Sequence, residues 1–74
     1  MTAHIVTVSK RILVIAADGR ERTQGDFEAR LPGAPRSVVR AALADLCNRG
    51  RLRRHAICGH TICYRAPEPA EMRE

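Results

Sequence analysis

The sequence has no tryptophan, a single phenylalanine, a single tyrosine, and one lysine among its thirteen basic residues. No stretch approaches the ~18 consecutive apolar residues that mark a membrane-spanning helix. The opening MTAHIVTV lacks the early positive charge and long apolar core of an export signal. A soluble cytoplasmic protein with no membrane partner is therefore expected. There is no glycine-rich phosphate loop, no internal repeat, and no nucleophile set beside a base. With no visible constellation of nucleophile, base and pocket, the chain is not expected to be an enzyme or to carry a cofactor. The three cysteines are an odd number, and a reducing compartment disfavours pairing any two of them.

At 74 residues the chain has room for one domain. A domain of this size buries only ~60% of the surface its unfolded form exposes, which permits a stabilising metal or partner without requiring one.

What the sequence does have is unevenly placed charge. Residues 36–65 hold seven arginines (Arg36, Arg40, Arg49, Arg51, Arg53, Arg54 and Arg65) against one acid, Asp45, for a net of +6. The rest of the chain carries six basic and seven acidic side chains, a net of −1. A basic patch confined to one region is the electrostatic footprint of an anionic partner, most often nucleic acid. Arginine, rather than lysine, suits forked contacts with phosphate and guanine.

The pattern along the chain is helix, helix, sharp turn, helix, hairpin. SKRILVIAADG predicts a first helix, with Ser9 as N-cap and Gly19 at its stop. Val8, Ile12, Ile15 and Ala16 form one buried face with Leu13 beside them. The preceding HIVTV fits either a short strand or the first turn of that same helix. TQGDFEARL predicts a second helix, in which Thr23 and Asp26 sit at capping-box spacing and Phe27 and Leu31 point inward. PGAP breaks the chain, and Pro35 suits the first turn of a third helix. That helix, PRSVVRAALADLCNR, places Val39, Ala42, Leu43 and Leu46 on one side with Cys47 at the edge. Ser37, Ala41, Ala44 and Asn48 face away, flanked by Arg40. RLRRHAICGHTICYR predicts two strands joined at Gly59-His60, with Tyr64 anchoring the hairpin to the core. Residues 1–66 form the domain, and 67–74, with three glutamates and two prolines, are expected to be a disordered acidic tail.

This order, and SVVRAALADLCNRGRLRR in particular, resembles the winged helix-turn-helix family over roughly residues 7–66. Val39, Leu43 and Leu46 match its core positions, Gly50 its helix stop, and Leu52 its first wing strand. The resemblance implies an α+β fold of three helices with a C-terminal two-stranded wing. It also implies a small transcriptional regulator binding duplex DNA, with Arg36, Ser37 and Arg40 near bases and Arg51, Arg53, Arg54 and Arg65 on the backbone. Ala41 and Ala44 stand where base-reading domains often place longer polar side chains. A second reading follows from them: a protein-binding winged helix that docks on RNA polymerase or another partner with an acidic surface. In style the chain resembles bacteriophage or mobile-element regulators. Should it form a homodimer, HIVTV or the outward alanines of the third helix are the surfaces available.

HAICGHTIC, residues 55–63, gathers two histidines and two cysteines. In a strand, neighbouring side chains point to opposite faces. A two-residue turn pairs His55 with Tyr64 and puts Cys58 and Cys63 on the face opposite His55. A three-residue turn separates the two cysteines. Neither register brings His55, Cys58 and Cys63 to one point, so no metal site is expected. The cysteines read as small apolar residues of a half-buried hairpin.

Overall fold

A computed structural model of the chain describes residues 2–57 and 61–67. Among the described residues the architecture is α+β: three helices and one three-stranded antiparallel sheet. Helix α1 spans Thr2–Ala16, strand β1 Arg22–Thr23, α2 Gln24–Arg30, α3 Arg36–Asn48, β2 Arg53–Ile57 and β3 Thr61–Arg65.

HIVTV belongs to α1. Ile5 and Val8 continue the inward stripe of Ile12 and Ala16 against the core. That stripe packs on α3, and its burial overrides the strand preference of the β-branched residues. Ser9 is consequently not an N-cap. It lies mid-helix, half-buried, with a hydroxyl that finds no hydrogen-bond partner among the described residues. At the other end of α1, Arg22 closes the helix. Its guanidinium donates to the Ile15 carbonyl at 3.1 Å and forks onto both Asp18 oxygens at 2.8 Å.

The expected capping box is present at α2. Thr23 Oγ1 accepts from the Asp26 N–H at 3.2 Å, and Asp26 Oδ2 accepts from the Thr23 N–H at 2.9 Å. Pro35 stands one residue outside α3 as its N-cap. The helix ends in a Schellman turn: Gly50 N–H donates to the Cys47 carbonyl at 3.1 Å and Arg51 N–H to the Leu46 carbonyl at 2.8 Å. That turn needs a left-handed residue, and Gly50 supplies it at φ +75°.

The core is a single cluster. Ile12, Phe27, Val39, Ala42 and Leu43 are fully inaccessible to solvent, with Val8, Ala16, Leu31, Leu46, Leu52 and Tyr64 around them. Tyr64 meets Phe27 edge-to-face, with ring centroids 6.4 Å apart, and so ties the hairpin to the helices as expected. Leu52 is buried just before β2 begins.

Two features of the sheet differ from the expectation. First, the hairpin has a third strand: β1 pairs with β3 through Arg22–Tyr64 and Thr23–Cys63, so the order is β1-β3-β2. Second, the hairpin takes the three-residue connection. Arg54 lies opposite Tyr64 and His55 opposite Cys63. A one-residue slip moves every side chain to the other face. The observed register takes His55 off the Tyr64 face and brings its Nε2 within 2.8 Å of Glu21 Oε2. The connecting residues Cys58, Gly59 and His60 lie outside the described residues, as does 68–74, the greater part of the expected tail.

Candidate nucleic-acid interface

Helix α3 presents its outward face to solvent because its inward positions are filled by Val39, Ala42, Leu43 and Leu46. Ser37, Ala41, Ala44 and Asn48 are all exposed, with Arg36 and Arg40 at one flank. At the start of the helix, Arg36, Ser37 and Arg40 line a shallow depression together with Gln24 of α2. Arg36 Nε lies 3.4 Å from Glu28 Oε1, yet its side chain remains 85% exposed. Pro35 caps the helix without a side-chain hydrogen bond.

At the other end of α3 the hairpin forms a second wall. Ala44, Cys47 and Asn48 face Leu52, Arg53 and Arg54 across an open cleft of about 400 Å³. Arg54 shares the sheet face of Tyr64, its direct partner in the register, and that face looks toward the helices. Arg53 lies opposite Arg65 and projects from the other sheet face, at the mouth of the cleft. Burial pushes the Tyr64 hydroxyl and the Cys47 thiol up, and the Arg54 charge partly offsets this at both. Cys63 is buried on the outer side of the sheet, and burial together with the Glu21 and Asp26 carboxylates raises its thiol. Both thiols are therefore held in the protonated form at neutral pH.

The seven residues singled out from the sequence do not form one cluster. Arg36, Ser37 and Arg40 come together at the start of α3, and Arg53 and Arg54 face the later half of that helix. Arg51 sits elsewhere: it lines a cleft between α1 and α3 with Lys10, Arg49 and Asp45. Arg65 is half-buried, and its guanidinium donates to the neighbouring Ala66 carbonyl at 3.0 Å.

The one acid of the basic window, Asp45, is on the α1 side of α3 and paired with Arg49 at 2.9 Å. The outward face of α3 is thereby left without a carboxylate of its own. Among the described residues Arg40 and Arg54 make no ion pair.

Sequence reasoning missed Gln24 as a neighbour of the arginine group and His55 as the partner of Glu21. The first lies on another element and left no local signal; the second depended on the hairpin register. Among the described residues, no three His, Cys, Asp or Glu side chains stand close enough to hold a metal. No family model, no curated protein and no solved structure matches this chain.

Proposed function

We propose that the chain is a winged helix-turn-helix domain that binds duplex DNA as a small transcriptional regulator. In this reading α3 enters the major groove and the β2–β3 hairpin is the wing. The observation that carries it is the cationic rim of one helix face. Arg36 and Arg40 flank the start of α3, Arg53 and Arg54 flank its end, and Asp45 is turned away onto Arg49. A B-DNA major groove is ~12 Å wide and admits one helix, with phosphates on both sides. Cations at both ends of an acid-free helix face suit a helix lying between those phosphates. Arg36, Ser37 and Arg40 then lie near base edges, with the two arginines also within reach of the flanking phosphates, and Arg53 and Arg54 lie toward phosphates. Arg65 supports the hairpin beside Arg53, and Arg51 lies at the edge of the contact.

The outward residues Ala41 and Ala44 offer methyl groups and no hydrogen bonds. Binding is accordingly dominated by phosphate contacts, with modest preference between sequences. The same short side chains, beside the cleft lined by Ala44, Cys47, Leu52 and Arg54, favour a second reading. In it the face docks on RNA polymerase or another regulator through an acidic surface, as a bacteriophage inhibitor or antiterminator would.

The test is the double variant Arg53→Glu/Arg54→Glu, measured by fluorescence anisotropy on mixed duplex fragments. Each lost phosphate contact is worth roughly tenfold at ~0.1 M salt. A folded double variant that binds as the parent does would refute the wing assignment. A parent that fails to bind even at ~50 mM salt would leave the protein-docking reading, tested next by direct titration against purified RNA polymerase.

A further inference from the structure

We infer that the cleft between α1 and α3 is a docking site for an amphipathic helix of another protein, one whose apolar stripe is flanked by acidic side chains. This surface is separate from the outward face of α3, and the inference stands whether or not that face binds DNA.

The apolar character of the cleft originates in α1. Val8, Ile12 and Ala16 are buried in the core, with Ile5 packed against it. Val6 and Leu13, seven residues apart, lie two turns from each other on a neighbouring stripe. That stripe widens the apolar face of α1 beyond what α3 covers: Val6 remains 48% exposed and Leu13 half-buried. With Ile5 of α1 and Leu46 of α3, these two side chains make a predominantly apolar recess of about 270 Å³. From Ile5 to Leu13 the helix rises ~12 Å, which matches about two turns of a helix laid alongside.

Charge selects the occupant. Lys10 and Arg51 stand at the cleft, both exposed, and neither makes an ion pair among the described residues. The one acid there, Asp45, is already paired with Arg49 at 2.9 Å. Lys10, Arg49 and Arg51 against Asp45 leave the cleft at a net of +2. A second copy of the chain fits poorly, because an isologous contact sets a surface against itself and would bring these cations together. Duplex DNA fits poorly too, since it offers a protein mainly phosphates and base edges, which an apolar floor does not use. A helix with apolar anchors at i, i+4 and i+7 and glutamates or aspartates beside them satisfies floor and rim together.

The test uses the full chain and a synthetic helical peptide of about four turns, with leucines at i, i+4 and i+7 and glutamates flanking them. One control carries lysine in place of each glutamate; another has the same composition with the leucine stripe scrambled. Amide NMR titration should show the glutamate peptide shifting Val6, Lys10, Leu13 and Arg51, and neither control doing so. The Lys10→Glu/Arg51→Glu variant should weaken the glutamate peptide roughly tenfold and accept the lysine peptide instead. The peptide controls leave the protein unaltered, so they decide the matter even if that variant folds poorly. Equal binding of the scrambled peptide overturns the inference, because charge alone is then at work. Shifts centred on Ala41, Ala44 and Asn48 overturn it by placing the peptide on the outward face of α3. Shifts at Val6 and Leu13 that grow with protein concentration in the absence of peptide assign the cleft to a second copy and overturn it as well. So does a glutamate peptide that fails to bind at millimolar concentration.

Discussion

The separation of Arg51 from Arg53 and Arg54 leads to a prediction about salt. If DNA lies along the outward face of α3, four arginines are in position to neutralise phosphates: Arg36 and Arg40 at one end, Arg53 and Arg54 at the other. Arg49 is engaged with Asp45, and Arg51 lies in the α1–α3 cleft. Each phosphate contact contributes ~0.9 to the slope of log K against log salt, so four contacts predict a slope of about −3.6 and a loss of roughly 150-fold between ~50 and ~200 mM. Replacing Arg54 or Arg40 by alanine should flatten the slope by about 1 each. Replacing Arg51 should leave it nearly unchanged. Anisotropy titrations at five or six salt concentrations separate these outcomes, with circular dichroism confirming that each variant stays folded. A parent slope shallower than about −2, or an Arg51→Ala variant that flattens the slope as much as Arg54→Ala does, would refute the placement of DNA along α3 between these residues.

Two further predictions concern the fold that holds the face in place. Phe27 is fully buried and meets Tyr64 edge-to-face. Its replacement by alanine should cost about 3–5 kcal/mol, a large share of the ~4–11 kcal/mol that a domain of 74 residues commands. Thermal unfolding should show the variant largely unfolded at 37 °C; a fall in midpoint of only a few degrees would mean that the Phe27–Tyr64 contact does not unite the helices with the sheet. Acid should also weaken the domain. The Arg22 guanidinium holds the Asp18 carboxyl well below the usual carboxylate range, and hydrogen bonds from Thr23 lower Asp26. Both contributions are complete above the unfolded carboxylate value near ~3.9 and are lost as pH falls through the folded values. The Asp18→Asn/Asp26→Asn variant should therefore lose less stability than the parent between pH ~4 and ~2. Parallel losses in the two proteins would show that these carboxylates do not govern acid unfolding.

The helices were legible because their signals are local. Thr23 with Asp26, the PGAP break, and Gly50 each act within a few residues, and the stripe Val39-Ala42-Leu43-Leu46 repeats within one helix. The arginine window was legible as composition, though its division between two clefts was not. That division depends on where α1 packs, and no motif within residues 49–54 records it. Strand β1 left almost no trace. Arg22 and Thr23 show no alternation of apolar and polar residues, and their partners lie some forty residues later, in β3. The start of α1 was ambiguous for a related reason: the β-branched residues of HIVTV favour a strand intrinsically, and only packing against α3 decides for helix. The hairpin register turned on one residue of loop length, which Gly59 and His60 do not specify alone.

The sheet order also has a bearing on synthesis. Of the three described strands, the one made last, β3, is in the middle, and β1 and β2 are not hydrogen-bonded to each other. Until residues 61–65 have been added, a growing chain can form its helices but no part of the sheet, and Phe27 has no Tyr64 to pack against. Closing β1 onto β3 also joins segments about forty residues apart, the slowest kind of contact for a small domain to make. A ribosome that stalls before residue 61 thus holds a helical intermediate with an unfinished core. The hairpin wall of the basic face would take shape only when β3 has paired with the segments on both its sides.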